Sequence, residues 1–139
     1  MRKNDPISHV MAKNLVTLDV HEPVSRARQL FDGSSIHHLP VVQGGDLVGI
    51  LSWSDFLRIS FGEFGNQDGR GLDALLDHTY KLADVMQSNP ITMSSGGTVR
   101  DAAQILSSNG FHSLPVVDGK KLVGLVTSTD LIRYLVDQY

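Results

Sequence analysis

Hydrophobic and polar positions follow one order along the chain, and this order occurs twice. A short apolar and β-branched run at 16–18, and another at 91–93, predicts a strand at the edge of a sheet. After each run, apolar residues recur every three to four positions, as in a helix with one buried face. The residues on these two faces are Val24, Ala27, Leu30, Phe31, Val99, Ala102, Ile105 and Leu106. Each copy is therefore expected to begin with a strand and a helix.

Capping signals mark the ends of these two helices. Thr98 and Asp101 have the spacing of a capping box, and Pro23 suits a first helical turn. Gly33 and Gly110 indicate where the helices end.

The second half of each copy predicts a β-hairpin and a closing helix. Two apolar runs are separated by 43–46 in the first copy and by 118–121 in the second, and the glycines there favour a tight turn. The closing helices are expected to start at 54–55 and at 129–130. The apolar stripe of the last helix consists of Leu131, Ile132, Leu135 and Val136.

The two copies form an internal repeat. Residues 10–58 align without a gap with residues 85–133 at an offset of about 75, and about a third of the paired residues are identical. One copy has too few residues to cover both faces of so small a sheet, so the two are expected to pack together and share a core. The predicted organisation is a first repeat at 1–59, a linker at 60–81 and a second repeat at 82–139.

The linker is predicted from its glycines and polar residues. A short amphipathic stretch within it, at 72–76, predicts a short helix that leads toward the second repeat. Because connecting segments are more mobile than the elements they join, residues 60–81 are expected to be the most mobile part of the chain.

Composition and charge narrow the classes of function. The 139 residues are 41% hydrophobic, enough to supply the core of a small globular protein. A net charge of −3 with scattered basic residues gives no electrostatic attraction to nucleic acid or an anionic membrane. No apolar run approaches the roughly 18 residues of a membrane span, and the amino terminus lacks the apolar stretch of a signal peptide. The absence of cysteine excludes disulfides and thiolate chemistry, and it fits a reducing cytoplasm.

The shared motifs resemble the CBS (cystathionine-β-synthase-type) domain. Both copies carry Val-Met, then His-x-Leu-Pro-Val-Val, then Gly, two hydrophobic residues, Ser or Thr, two further residues and Asp. These motifs begin at Val10, His37, Gly49, Val85, His112 and Gly124. The resemblance implies an α+β fold of two tandem β-α-β-β-α repeats that pack through their sheets as a pseudo-two-fold pair. It also implies a module that usually forms a disc-like homodimer and binds adenosyl ligands in the clefts between repeats.

The resemblance assigns ligand contacts to the end of each hairpin. Asp55 and Asp130 would accept hydrogen bonds from the ribose hydroxyls. The hydroxyls beside a phosphate would come from Ser52, Ser54, Thr127 and Thr129. These residues lie at helix amino termini, where unpaired N–H groups and the helix dipole favour an anion.

The same spacing also has an explanation without a ligand. Ser52 with Asp55, and Thr127 with Asp130, are spaced as in a capping box. On spacing alone, capping is the commoner explanation. The resemblance raises the weight of ligand binding, because in the family the same residues perform both tasks.

The other walls of the clefts also follow from the resemblance. In the family, the residue pair ahead of each Leu-Pro faces the aspartate of the other repeat. For the site of Asp130 this pair is His37 and His38, and for the site of Asp55 it is His112 and Ser113. Apolar contacts near the base and the rest of the adenine pocket would come from Ile36, Phe111, Ile50, Leu125 and the segments around Ser8 and Ala83.

The two predicted sites are not equivalent. Strong nucleotide binders of the family often have arginine at the positions of His38 and Ser113. Arginine clamps a phosphate with two hydrogen bonds, whereas histidine is largely neutral near pH 7. The site of Asp130 is therefore expected to hold phosphate better, particularly below about pH 6.5. The scarcity of basic residues favours AMP, S-adenosylmethionine or a dinucleotide such as NAD over ATP.

Other polar and aromatic residues suggest structural roles. No carboxylate or further histidine lies at ligand spacing beside His37, His38 or His112, so no metal site is predicted. Trp53 is expected to pack or to contact a dimer partner rather than to stack on a base. The remaining histidines, expected at the surface, are His9, His21 and His78.

Three classes of function compete. An enzyme would need an activated nucleophile, a metal or paired carboxylates in a cleft; the motifs offer none, so no catalytic residue is predicted. The leading hypothesis is a sensor whose adenosyl ligand changes the angle between repeats, a change that a separate partner protein detects. The alternative is an interaction module that dimerises or docks without a ligand, in which Asp55 and Asp130 serve only as caps.

Overall fold

A computed structural model describes residues 5–64 and 69–139, with the side chains of 60–70 left out of the description. The chain forms two compact units. The first unit is Val16–Pro90, and the second unit combines Ile91–Tyr139 with the described part of Met1–Leu15. Each unit has its own buried core, so each is described by itself.

The first unit is a small mixed sheet with helices. Its elements are β1 (Leu18–Asp19), α1 (Val24–Asp32), β2 (His38–Gln43), β3 (Asp46–Ser52), α2 (Trp53–Phe64), α3 (Gly69–Thr79), α4 (Leu82–Val85) and β4 (Gln87–Ser88). β2 and β3 form an antiparallel hairpin, β1 runs parallel to β2, and β4 runs antiparallel to β3.

The second unit repeats this plan. Its elements are a 3-10 helix (Ile7–His9), β5 (Met93–Ser94), α5 (Val99–Ser108), β6 (Ser113–Asp118), β7 (Lys121–Thr127) and α6 (Ser128–Asp137). β6 and β7 form the hairpin, and β5 runs parallel to β6. The strand, helix, hairpin and helix predicted for each copy are thus confirmed.

The hairpin turns show why these strands reverse where they do. Gly44 and Gly45 have φ angles of 59° and 88°, and Gly119 has a φ of 63°. Two-residue turns with positive φ match the twist of the flanking strands, and glycine adopts them without strain. These turns fix the register, in which His38 pairs with Ser52 and Ser113 with Thr127.

The element ends differ from the predictions by one or two residues. The closing helices α2 and α6 each begin one residue earlier than predicted. α5 ends at Ser108, two residues before Gly110, because Asn109 has extended backbone angles and its side-chain amide donates to the carbonyl oxygen of Ile105 at 2.7 Å. The residue that follows the last turn of α5 is therefore Asn109, and the prediction of Gly110 for this place is wrong by one residue.

The segment predicted as a linker contributes a packed helix. α3 is 11 residues long, against the short stretch at 72–76 predicted from the sequence, and Leu76 is fully buried. The carboxylate of Asp77 accepts hydrogen bonds from the backbone N–H of Ser25 at 2.8 Å and from its hydroxyl at 2.6 Å. Residues 65–68, also in the predicted linker, lie outside the described residues.

An ion pair also joins α3 to α1. The guanidinium of Arg28 donates from Nε and Nη2 to the two carboxylate oxygens of Asp73, the second at 2.8 Å, and from Nη1 to Asp32 at 2.7 Å. The hydrogen bond to Asp73 raises the pKa of Arg28 above its ordinary value, against the opposing effect of burial. α3 is thus held on α1 by both apolar burial and paired charge.

The segment that opens each repeat belongs to the compact unit of the other repeat. We call residues 5–12 the first leader and residues 80–87 the second leader. The first leader lies in the second unit, where the N–H of Ile7 donates to Gly97 and the N–H of Ala12 donates to Leu125, at 3.0 and 2.8 Å. The second leader lies in the first unit, where Gln87 pairs with Ile50. The units therefore differ in their bounds from the repeats at 1–59 and 82–139.

The Val-Met and glycine motifs meet in this arrangement. A Cβ atom on Gly124 would lie 2.4 Å from Sδ of Met11, and one on Gly49 would lie 2.4 Å from Sδ of Met86. Contacts this short are impossible for a real Cβ, so each strand needs glycine where the leader's methionine crosses it. The two motifs are thus the two sides of one contact within each unit.

Candidate ligand site

Asp130 lies at the start of α6 in a reciprocal capping box. Its carboxylate Oδ2 accepts from the N–H of Thr127 at 2.9 Å, and its own N–H donates to Thr127 Oγ1 at 3.1 Å. Its other oxygen, Oδ1, lies 3.7 Å from Nη1 of Arg133. The capping role predicted for this pair is confirmed, and it occupies one of the two carboxylate oxygens.

Asp55 has the matching place at the start of α2. Its N–H donates to Ser52 Oγ at 3.1 Å, and its Oδ1 accepts from Nη2 of Arg58 at 3.0 Å. Both aspartates are half-buried at the end of a hairpin, in a helix's first turn. Ser54 and Thr129, beside them, are exposed.

The residue pair ahead of each Leu-Pro lies beside the helix start of its own repeat. The carbonyl oxygen of His37 accepts from the N–H of Trp53 at 2.8 Å, and that of His112 accepts from the N–H of Ser128 at 2.9 Å. The side chains of both histidines are exposed, whereas Ser113 is buried. The predicted contacts of these pairs with the aspartate of the other repeat stay a prediction.

The apolar residues expected near the base have different degrees of burial. Ile50 is buried on β3, and Leu125 is half-buried at the matching position of β7. Ile36 and Phe111 are half-buried and pack against the cores of the first and second units, respectively. Ile36 and Phe111 are therefore partly committed to their own cores.

A cavity beside Asp55 lies within the first unit, and we call it the Asp55 cavity. Its volume is about 380 Å³. Its walls come from the first turns of α2 and from the second leader, in which the predicted Ala83 is exposed and precedes Asp84. The lining residues are Asp55, Arg58, Ile59, Asp84, Val85, Met86 and Gln87.

A matching cavity beside Asp130 lies within the second unit, and we call it the Asp130 cavity. Its volume is about 170 Å³. Its walls come from α6 and from the first leader, in which the predicted Ser8 is half-buried and precedes His9. The lining residues are His9, Val10, Asp130, Arg133, Tyr134 and Asp137.

Several lining residues were not predicted from the sequence. Arg58 and Arg133 match each other in the repeat and follow each aspartate by three residues, a signal that could have assigned them to the cavities. His9 was expected only at the surface; it is exposed, and it also lines a cavity. Tyr134 carries no repeat signal, because its matching residue is Ile59.

Trp53 packs inside the first unit, as predicted. Its ring centroid lies 5.3 Å from that of Phe31 and 6.0 Å from that of Phe56. Aromatic rings at such separations stabilise a core beyond simple burial. Trp53 is thus engaged by its own core.

Among the side chains that the structure describes, those of residues 5–59 and 71–139, no group of three or more His, Cys, Asp or Glu could hold a metal ion. Among the helices of those residues, none combines the length and the apolar character needed to cross a bilayer.

Comparison with known proteins identifies similar chains. The model of the CBS domain family matches residues 7–62 and 82–137. A CBS domain-containing protein of Dictyostelium discoideum is 32% identical over 134 residues, which cover 94% of this chain and 90% of that protein. Several other curated relatives are longer, and this chain spans less than half of their length.

Solved structures show the same fold. CBSX2, a protein of Arabidopsis thaliana, in complex with AMP, has a TM-score of 0.79 at 26% identity, over 96% of this chain and 98% of its own. The CBS domain pair of protein MJ0100, in complex with 5′-methylthioadenosine and S-adenosyl-L-methionine, has a TM-score of 0.76 at 25% identity, over 98% and 99% of the two chains. These similarities confirm the α+β fold expected from the repeat.

Proposed function

The chain belongs to the CBS domain family, and from this premise we propose that it is a regulatory module that binds an adenosine-containing ligand. The observation that carries the proposal is the pair of cavities beside Asp55 and Asp130, at matching helix starts. Similar CBS pairs have been solved with AMP, 5′-methylthioadenosine and S-adenosylmethionine. Ligand binding then changes the arrangement of the module, and a separate partner protein responds.

The geometry of Asp130 supports a second role beside capping. Oδ2 is bonded to the backbone of Thr127, and Oδ1 lies 3.7 Å from Arg133, beyond the range of a hydrogen bond. Oδ1 can therefore accept a hydrogen bond from a ribose hydroxyl while the cap remains intact. A carboxylate acceptor held by its helix in this way is already oriented before the ligand arrives, which lowers the entropic cost of binding.

The charges around the cavities support a ligand with little negative charge. The Asp55 cavity is lined by the carboxylates of Asp55 and Asp84 and by the one guanidinium of Arg58. An excess of carboxylate repels polyphosphate, while the helix start and its N–H groups tolerate one phosphate. We therefore favour S-adenosylmethionine, AMP or NAD over ATP as the ligand.

The test is ligand-dependent thermal stabilisation. Melting temperatures are measured with AMP, ADP, ATP, S-adenosylmethionine and NAD, because a ligand that binds only the folded state raises its stability. At a ligand concentration of 100 times the Kd, the expected gain is about 2.7 kcal/mol. No shift with any of the five at millimolar concentration would reject the proposal.

Two alanine variants separate ligand binding from capping. Asp130→Ala removes the carboxylate half of the capping box and the proposed ribose acceptor, so it should lose about 1 kcal/mol of stability and most of the ligand shift at that site. Asp101→Ala is the matched control, because Asp101 forms the same box with Thr98 at the start of α5, with distances of 3.0 and 3.2 Å. It should lose similar stability and keep the full ligand shift. Equal ligand shifts in both variants would leave Asp130 with capping alone.

The second candidate function is a ligand-independent interaction module, and α6 favours it. The exposed fractions of Ile132, Leu135 and Val136 are 62, 41 and 64%. These residues lie on one helical face, and exposed apolar patches of this kind mark protein interfaces. We propose that this face forms a homodimer, with or without the adenosyl ligand.

The proposal places the activity of the chain in binding. We propose that the module acts as a regulator in the cytoplasm rather than as an enzyme.

A further inference from the structure

The junction between α5 and β6 carries an asparagine followed by a glycine, Asn109 and Gly110. We propose that Asn109 is a site of spontaneous deamidation, a modification that converts it to aspartate or isoaspartate without an enzyme. The chain has five asparagines, and Asn109 is the one that glycine follows. The reaction involves no residue that lines the Asp55 cavity or the Asp130 cavity, so it does not depend on the proposed ligand.

Deamidation begins when the backbone nitrogen of the next residue attacks the side-chain amide. The nitrogen of Gly110 loses its proton to solvent base and bonds to Cγ of Asn109, the bond between Cγ and Nδ2 breaks, and ammonia leaves. Water then opens the resulting cyclic succinimide at either of its carbonyl carbons. Cleavage of the bond from Cγ to nitrogen gives aspartate, and cleavage of the original peptide bond gives isoaspartate. The reaction is a hydrolysis and needs no oxidant or reductant.

The attacking nitrogen is available in the folded chain. Among the contacts that the structure describes, the N–H of Gly110 donates to no acceptor. A Cβ atom built on Gly110 would have no heavy atom within 4 Å, so the backbone has room to move there. Glycine also reaches more backbone conformations than any other residue. Closure of the ring at Gly110 therefore meets little steric resistance.

The amide under attack is accessible to water. Asn109 is exposed, and its backbone is extended, with φ of −127° and ψ of 162°. Its Nδ2 donates to the carbonyl oxygen of Ile105 at 2.7 Å, in an exposed contact for which water competes. Because a hydrogen bond of this kind contributes little net free energy, breaking it slows the reaction by at most about tenfold. The hydrogen bond thus delays deamidation without preventing it.

Two other asparagines in the described part of the chain serve as internal controls. Asn89 is followed by Pro90, whose nitrogen carries no hydrogen and cannot close the ring. Asn14 is followed by Leu15, whose branched side chain crowds the attacking nitrogen. Neither position combines an available amide nitrogen with a glycine.

Deamidation changes the end of α5. The Nδ2 group that donates to Ile105 is replaced by a carboxylate oxygen, which repels that carbonyl oxygen and the negative end of the helix dipole. Isoaspartate also lengthens the main chain by a methylene group between α5 and Phe111, which packs against the core of the second unit. The deamidated chain should therefore unfold at a lower urea concentration than the unmodified chain.

The experiment is incubation of the full chain in mildly alkaline buffer, followed by peptide mapping with mass spectrometry and by an assay of released ammonia. Asn109 should be modified ahead of Asn14 and Asn89. Gly110→Ala should slow the modification of Asn109 about tenfold, because alanine restricts the backbone angles that close the ring. The open space around Gly110 allows this variant to fold. An Asn109 that reacts no faster in the wild-type chain than in Gly110→Ala, or no faster than Asn14, would overturn the inference.

Asn109→Asp tests the consequence, because it installs one of the two products directly. Its urea midpoint should lie below that of the wild-type chain. Asn14→Asp is the matched control: it adds the same charge at an exposed residue whose side chain makes no hydrogen bond among the contacts described, so its midpoint should not change. Equal midpoints in the two variants would reject the destabilising effect, while peptide mapping decides separately whether Asn109 is the modified residue.

Discussion

Glycine at two strand positions is a requirement of packing in this fold. Gly49 and Gly124 each face a methionine that arrives from a leader, and in both cases the Sδ atom occupies the space of a Cβ. The methionine side chain lies against the strand there at distances that no Cβ atom would allow. In the Gly-x-x-Ser/Thr-x-x-Asp motif, the glycine thus leaves room for the methionine of the leader, while the aspartate lies in the first turn of the helix and lines the cavity.

Substitution of Gly124 by alanine should loosen the first leader. The added methyl group displaces Met11, and overpacking of this kind costs about 1–3 kcal/mol. Gly110→Ala is the control, since no heavy atom lies within 4 Å of its Cβ position, and such a change is usually within about 0.5 kcal/mol. Urea denaturation of both variants measures the difference.

A double variant identifies the partner of that methyl group. If Met11 is the group displaced, Gly124→Ala should cost less in a Met11→Ala background than in the wild-type chain, because substitutions in contact are not additive. Additive losses would mean that the strain lies elsewhere in the strand.

At the scale of elements, the ion pair between Arg28 and Asp73 joins α3 to α1 in addition to the burial of Leu76. The side chains of Arg28 and Asp73 are each 22% exposed, so solvent screens this ion pair less than it screens a pair at the surface. Because the pKa of Arg28 is raised in the folded state, its stabilising contribution is fully present at every pH below the arginine's unfolded pKa and is lost only as the pH rises above it. The contribution of the raised Arg28 pKa to the free energy of unfolding is therefore constant at acidic and neutral pH.

A double-mutant cycle on Arg28→Ala and Asp73→Ala should give a coupling energy of about 1–2 kcal/mol, since hydrogen bonds to charged groups contribute about 1.5–3 kcal/mol before exposure is considered. Arg26→Ala is the matched control: it removes the same charge from α1, but its side chain is exposed and bonds only to Gln29 of the same helix among the contacts described. Urea denaturation supplies the four free energies of unfolding. A coupling near zero would show that apolar burial alone holds α3.

Local sequence patterns predicted the helices and strands. The positions of the leaders and of the cavities depend instead on contacts between residues far apart in the sequence. The strands, the hairpins and the capping boxes of 98–101 and 127–130 follow from periods, turn glycines and spacings that act within a few residues. The position of the first leader does not follow from such local patterns. Residues 5–12 are held by hydrogen bonds to residues more than 80 positions further along the chain. The cavities depend on the leaders, so Asp55 and Asp130 were predicted while His9 and Asp84 were missed.

The face of α6 shows the same limit. Leu131, Ile132, Leu135 and Val136 predicted a helix with an apolar stripe, and the helix is present. Among the contacts that the structure describes, Leu131 is the one of these four that packs against the core of the second unit, and no residue of α6 is buried. Amphipathic spacing indicates that a face is apolar, but not whether the chain itself covers it.

At the scale of the whole molecule, this face predicts an assembly. Val136→Lys places a charge in the centre of the exposed stripe and should shift a dimer to monomers, because an unpaired charge is costly to bury. Gln138→Lys adds the same charge to an exposed residue at the end of the helix and should leave the assembly unchanged. Light scattering after size-exclusion chromatography measures both masses. If the Val136→Lys chain kept the mass of a wild-type dimer, the dimer interface would have to lie on another surface.

Because the second unit is built from two segments of the chain, the two units are completed at different times during synthesis. Residues 16–90 form a continuous unit that can fold as soon as it leaves the ribosome, since domains generally fold as they are completed. Residues 5–15 emerge earlier but must wait unpaired until 91–139 have been made. The nascent chain therefore leaves Ile7 and Met11 without their final contacts until residues 91–139 emerge, and the second unit completes its fold with a segment translated before the first unit.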